Sequence, residues 1–162
     1  MDQQQATAPT TGSNSPSANV PAWVAQGLVF VIFAVFGPLA KLTASPESVA
    51  LFEALGPGKP MMYAVGVAEL IAMILIVIPK TAWFGAGLSL GTFVGAIGGH
   101  VAKIGVVPTF TLATGEEFSP GIVLFAAAVV GLVASAAVLF LRRGEIPVVG
   151  AKLAGGTVQP AA

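Results

Sequence analysis

Cysteine is absent from the 162 residues, which excludes disulfides, thiol relays and thiolate-held clusters. Histidine is nearly absent: His100 alone cannot supply the paired imidazoles of a membrane cytochrome. No His/Asp/Glu spacing typical of zinc or di-iron sites occurs either, so no protein-bound metal and no resident cofactor is expected. Charge is scarce as well, at 9% of residues against about 25% in soluble domains. Seven basic residues balance seven acidic ones and are scattered, which leaves no electrostatic footprint for nucleic acid. What the chain has in quantity is apolar side chains, 56% of the total, gathered into four uninterrupted runs. These observations describe an integral membrane protein with one domain and no room for a separate soluble catalytic unit.

Residues 1–21 are a tract of Gln, Thr, Ser, Asn and Pro with almost nothing to bury, expected to be a disordered tail. The tract lacks the basic opening of a signal peptide. Helix 1 is expected over residues 22–40, with Trp23 at an interface and Pro38 kinking its end. Ser45-Pro46-Glu47 then reads as an N-cap, a first-position proline and an acid in the first turn, and Gly56 as a stop. A short helix over 46–55, with Val49, Phe52 and Leu55 on one face, should lie along the membrane surface and cover the mouth of the bundle. Helix 2 is expected over 61–78, helix 3 over 82–101 and helix 4 over 121–141, separated by a tight turn at Lys80-Thr81 and a polar connection over 106–120. Residues 144–162, rich in Gly, Ala, Val and Pro, are expected to form a flexible tail, which leaves 22–143 as the membrane domain.

Within helix 3, Gly87, Gly91, Gly95 and Gly99 recur every fourth residue, a spacing expected to form a seam of close helix approach. Ala127, Gly131 and Ser135 suggest a second seam on helix 4. Beside the glycines, Ser89, Thr92, Ala96, His100 and Lys103 form a polar stripe within an arc of about 80°.

The candidate site is built around Glu69. It stands in the middle of the run from Pro60 to Pro79, close to the midplane of a hydrocarbon core about 30 Å thick. An unpaired charge at that depth costs at least about 2.5–3.5 kcal/mol, so Glu69 should face the protein interior, protonated, paired or wetted by a cavity. Two readings stand open: a packing carboxylic acid, or a ligand or proton site. The available partners are Lys41, His100 and Lys103. Each has a structural alternative, snorkelling to the interface for the lysines and a cap on the bundle mouth for His100. At about 1.5 Å per residue His100 lies some 8–10 Å shallower than Glu69, so water or a ligand would have to bridge them.

Lys41-Leu42, a Pro-containing loop with Phe52, Gly66-Val67-Ala68-Glu69-Leu70, Ile78-Pro79, Gly95-Ala96 and His100 follow one another in an order that resembles the DoxX-like membrane proteins. The resemblance covers residues 24–141. It implies a four-helix bundle in the bacterial inner membrane, and its named relatives include the small membrane subunit of a thiosulfate:quinone oxidoreductase and proteins of oxidative-stress modules. Where many relatives carry a basic residue early in helix 1, this chain has Gln26 or apolar residues, which places it nearer the shorter DoxX-like branch.

The expected fold is therefore an all-α, antiparallel four-helix transmembrane bundle with a short interfacial helix after helix 1. The expected function is an accessory or binding subunit of a quinone-linked redox or stress module, not an autonomous enzyme, with a polar pocket near the outer face. Quinone would come through a partner. Two alternatives remain: a small proton- or weak-acid-coupled transporter, and a small membrane enzyme using Glu69 and His100 on a lipid-like substrate. The expected partners are the lipid bilayer and either a redox enzyme or further copies of the chain. Lys80, Arg142, Arg143 and Lys152 on one side, against Lys41, Lys59 and Lys103 on the other, place both termini in the cytoplasm.

Overall fold

Backbone amides in hydrocarbon have no water to bond, so each long apolar run closes its hydrogen bonds within itself as a helix. The computed structural model describes residues 20–146 and shows four helical spans of membrane length, 20–42, 58–77, 79–104 and 123–141. The helices are α1 (Val20–Phe36), α2 (Pro38–Leu42), α3 (Pro46–Leu55), α4 (Gly58–Val77), α5 (Ala82–Gly99) and α6 (Val123–Leu141). The protein is an all-α bundle, and its four apolar spans make it a multi-pass membrane protein.

Helix 1 departs from the expected single rod. Pro38 has no N–H to donate, and the backbone at Gly37 leaves helical geometry, so the helix breaks and restarts as α2 instead of merely kinking. The helix α1 also begins at Val20, inside the stretch expected as tail; the remainder of the two expected tails, 1–19 and 147–162, lies outside the described residues. The short helix α3 has the expected bounds. Ser45 Oγ accepts from the Ser48 amide at 3.3 Å, and Gly56 ends the helix at a φ of +103°, which a side chain would resist.

Each spanning helix lies against two neighbours: α1 against α4 and α6, and α5 against the same two, so α1 and α5 face each other across the bundle. The half of the bundle nearest the α4–α5 turn is solid. Val29, Ile32, Ala72, Ile76, Ala86, Ala134 and Val138 fill it, and Phe33 stacks on Phe93 with ring centroids 5.0 Å apart. The place of closest helix approach corrects the expected seam. Gly87, Gly91 and Gly95 have open space where a side chain would be, whereas a Cβ on Gly85 would stand 2.6 Å from the Ile76 backbone nitrogen. Gly85, two residues before Gly87 and off the expected stripe, is the glycine that lets α4 and α5 touch. On α6, Gly131 leaves the space that the Phe93 ring occupies.

The other half of the bundle is hollow. It carries α3, which packs on α4, and a small antiparallel ribbon in the 106–120 connection, β1 (Phe110–Thr111) with β2 (Glu117–Phe118), in which Phe110 faces Phe118. The ribbon was unforeseen. Its strands are only two residues each, too short for an alternating pattern to be read from sequence.

Candidate functional site

Lys41 is drawn inward by the break in helix 1. Its Nζ donates to the carbonyls of Phe36 at 3.1 Å and Gly37 at 3.4 Å, at the C-terminal end of α1, where the partial charge of the helix is negative. The same ammonium stands 2.8 Å from Glu69 Oε2. That contact is a charge pair whose angles fall short of an aligned hydrogen bond. Gly66 makes the pairing sterically feasible: a Cβ there would lie 3.0 Å from Lys41 Cβ, so only glycine lets α2 sit this close to α4, one turn from Glu69. Met62, Gly66 and Glu69 form the buried face of α4, with Met73 half-buried beside them.

His100 is placed by a change of helical pitch. The backbone after Gly99 widens into a π-type turn, His100–Ile104, closed by the Gly105 amide donating to the His100 carbonyl at 2.7 Å. Gly105 takes a φ of +77°, and its own carbonyl accepts from His100 Nδ1 at 2.7 Å. A carbonyl can only accept, so Nδ1 carries the proton. In the neutral ring Nε2 is then left as an acceptor, without a partner among the described residues. The ring is 3% exposed and meets Phe125 edge-on at 5.4 Å. Lys103, one turn further, is exposed and has no acidic partner among the described residues.

All four residues singled out in the sequence line one cavity of about 570 Å³, within the range of roughly 300–1,000 Å³ for small-molecule sites. Its walls are otherwise apolar: Ile32, Phe33 and Phe36 from α1, Leu51, Phe52 and Leu55 from α3, and Leu124 and Ala127 from α6. Of the polar stripe on α5, Thr92, Ala96, His100 and Lys103 reach the cavity, while Ser89 is buried and donates to the Gly85 carbonyl at 2.8 Å. Lys41 and Glu69 cancel each other in charge, which leaves Lys103 as the uncompensated cation of the site.

At the opposite end, Arg142, counted in the sequence among the basic residues that set the orientation, is buried. Its Nε donates to Gln26 Oε1 at 2.9 Å, its Nη1 pairs with Glu145 at 2.8 Å, and its guanidinium stacks over Trp23. Gln26 in turn donates to the Ile76 carbonyl. The only sequence signal for this cluster was an amide, Gln26, inside an apolar run.

Compared with family models, with curated proteins and with solved structures, the chain matches none. The functional reading rests on the site itself.

Proposed function

We propose that this protein is a membrane-embedded binding module, of DoxX-like type, that holds a small amphipathic molecule in the hollow half of its bundle. The observation that carries this is the convergence of Lys41, Glu69, His100 and Lys103 on a single apolar-walled cavity. A few polar groups that fix orientation within an otherwise apolar hollow are the usual composition of a ligand site. The arrangement favours holding over turnover. Glu69, the carboxyl that an acid–base pair with His100 would need, is already paired with Lys41.

Passage through the bundle is disfavoured by the solid half. The Phe33–Phe93 stack and the Gln26–Arg142 cluster occupy the axis below the cavity. The redox setting, a quinone-linked enzyme to which the module is accessory, derives from the DoxX-like resemblance. So does the bacterial inner membrane, and the basic residues put both termini in the cytoplasm and the cavity end outward.

The test is recovery of the bound molecule. The full chain is purified in gentle detergent, and the organic extract is compared with that of the Lys41→Ala and His100→Ala variants at matched protein. A specific amphiphile at near-equal molar ratio in the wild type, depleted in both variants, is expected. Extracts that contain only bulk lipid in all three would overturn the binding reading.

A further inference from the structure

The cavity has a side door. Taking about 100° per residue, the buried face of α5 is centred on Ser89, Phe93 and His100, and Gly87, Gly91 and Gly95 fall roughly opposite it, on the outward face. They are indeed exposed, with open space beyond each Cα. Yet these outward glycines line the same cavity as Glu69 and His100. The void must therefore pass around one flank of α5. Leu88, Thr92 and Gly99 also line it, and they share the flank on which Gly85 meets Ile76 of α4; no residue of the α6 flank, such as Leu90 or Val94, does so. The helices α4 and α5 touch at Gly85, and beyond that contact the cavity lies between them, lined by Val65 of α4 and by Gly91 and Gly95 of α5, up to the level where Leu55 of α3 meets Gly99. The gap between them opens on the hydrocarbon.

We infer that the ligand is a single-chain amphiphile with an anionic head, which enters sideways from one leaflet through the gap between α4 and α5. This rests on the binding reading above and adds the route and class of ligand. Its head would meet Lys103, the unmatched cation, and reach His100 Nε2, the ring nitrogen without a partner among the described residues, through a bridging water that donates to both. Its chain would lie along the glycine groove. Lys103 is near one end of the span, and Gly91 lies about 18 Å deeper at about 1.5 Å per residue, near the midplane. Head at the surface and tail towards the midplane is the orientation an amphiphile already has in its own leaflet. The chain would thus slide in without turning over. Missing side chains at Gly87, Gly91 and Gly95, which the helix packing does not use, are thereby given a role.

The experiment uses the full chain in phosphatidylcholine nanodiscs and an eighteen-carbon carboxylate probe carrying a terminal photoreactive diazirine. Adducts are mapped by mass spectrometry with and without excess unlabelled oleate, and a fatty alcohol probe of equal length is run beside it. Oleate-competed labelling of Leu88 to Gly95 and of Val65 is expected. Lys103→Gln should reduce labelling by the carboxylate about tenfold and labelling by the alcohol little. Gly91→Phe, and independently Gly95→Leu, should abolish labelling of the groove by either probe. Competed labelling confined to Phe33 and Phe93, unchanged in both glycine variants, would overturn the sideways route and leave the binding reading intact. Equal labelling by alcohol and carboxylate, indifferent to Lys103→Gln, would overturn the anionic head alone. No competed labelling by either probe in the wild type would overturn the inference, and the binding reading then stands or falls on the organic extract.

Discussion

Lys41 Nζ and Glu69 Oε2 stand 2.8 Å apart within the membrane span, on two helices that Gly66 allows to touch. Both side chains are about nine-tenths buried. The pair answers the physical problem that a carboxyl at this depth creates, since each charge offsets part of the cost of burying the other. It also fixes α2 on α4 and so shapes one wall of the cavity.

Breaking the pair from one side should therefore be worse than removing it. Lys41→Met leaves Glu69 buried without a counter-charge and is expected to destabilise the fold by about 3–5 kcal/mol. The double variant Lys41→Met/Glu69→Leu should recover most of that loss. Unfolding free energies in mixed detergent micelles measure both. A Lys41→Met protein as stable as the wild type would mean that the pair carries no structural weight.

Glu69→Gln separates charge from shape. Gln keeps the volume and hydrogen-bonding capacity of Glu69 but leaves Lys41 as a second uncompensated cation in the cavity. Membrane insertion should survive because Lys41 Nζ, unlike a lone Glu69, keeps the Phe36 and Gly37 carbonyls, while retention of the natural ligand changes, and its effect should be non-additive with Lys41→Ala because both act on one unit. The comparison is ligand content of single and double variants at matched membrane abundance. Wild-type ligand content in Glu69→Gln would reduce the carboxyl to a packing group.

Glycines of α5 should divide by position. Gly85→Ala forces a methyl against the Ile76 backbone and is expected to cost about 1–3 kcal/mol. Gly95→Ala, with open space before it, should be neutral or slightly stabilising, since alanine is the better helix former by about 0.8–1 kcal/mol. Thermal melts in one detergent decide. The reverse order would return Gly95 to the helix interface.

The fold was legible where one residue type forces one local outcome. Four long apolar runs can only be spans, and Ser45-Pro46-Glu47 with Gly56 bounds α3 on both sides. The site was legible for a related reason: Glu69, Lys41, His100 and Lys103 are polar groups where polarity is expensive, so they stand out without any knowledge of the fold. What the pattern could not supply was direction. A repeat of glycines every fourth residue identifies a helix face, but whether that face meets a helix or a gap depends on how α4 and α5 splay. The Gln26–Arg142 contact joins residues 116 apart and exists only once α1 and α6 are neighbours. The break at Gly37, which Pro38 signalled only as a kink, and the π-type turn at His100 are the two devices that aim Lys41 and His100 at the cavity.

The Arg142 cluster is a plug, and its disruption should be felt as stability. Gln26→Leu removes the acceptor of Arg142 Nε and the donor to the Ile76 carbonyl at once, leaving a buried donor and a buried acceptor without partners. A cost of about 1–3 kcal/mol per orphaned group is expected, with the ligand content of the cavity unchanged because the cluster lies beyond the Phe33–Phe93 stack. Unfolding and ligand content of Gln26→Leu, measured together, check it. Loss of ligand without loss of stability would show that the two ends of the bundle are coupled.

The last prediction concerns which way the cavity faces. The ends of α2 and α5, the start of α4 and α6, the helix α3 and the β1–β2 ribbon all lie at one end of the bundle, so a reporter on the ribbon's turn reports the side on which the cavity mouth opens. Glu116 is exposed on that turn, and the chain has no cysteine of its own to confuse the signal. Lys80, Arg142 and Arg143 gather at the other end, which the orientation proposed above puts in the cytoplasm. A single Glu116→Cys variant should therefore react with a membrane-impermeant maleimide in intact cells stripped of their outer membrane. Lys80→Cys should react only after the cells are opened. Labelling of position 116 solely in inverted vesicles would turn the molecule over and place the cavity mouth, with Lys103 and His100, on the cytoplasmic side.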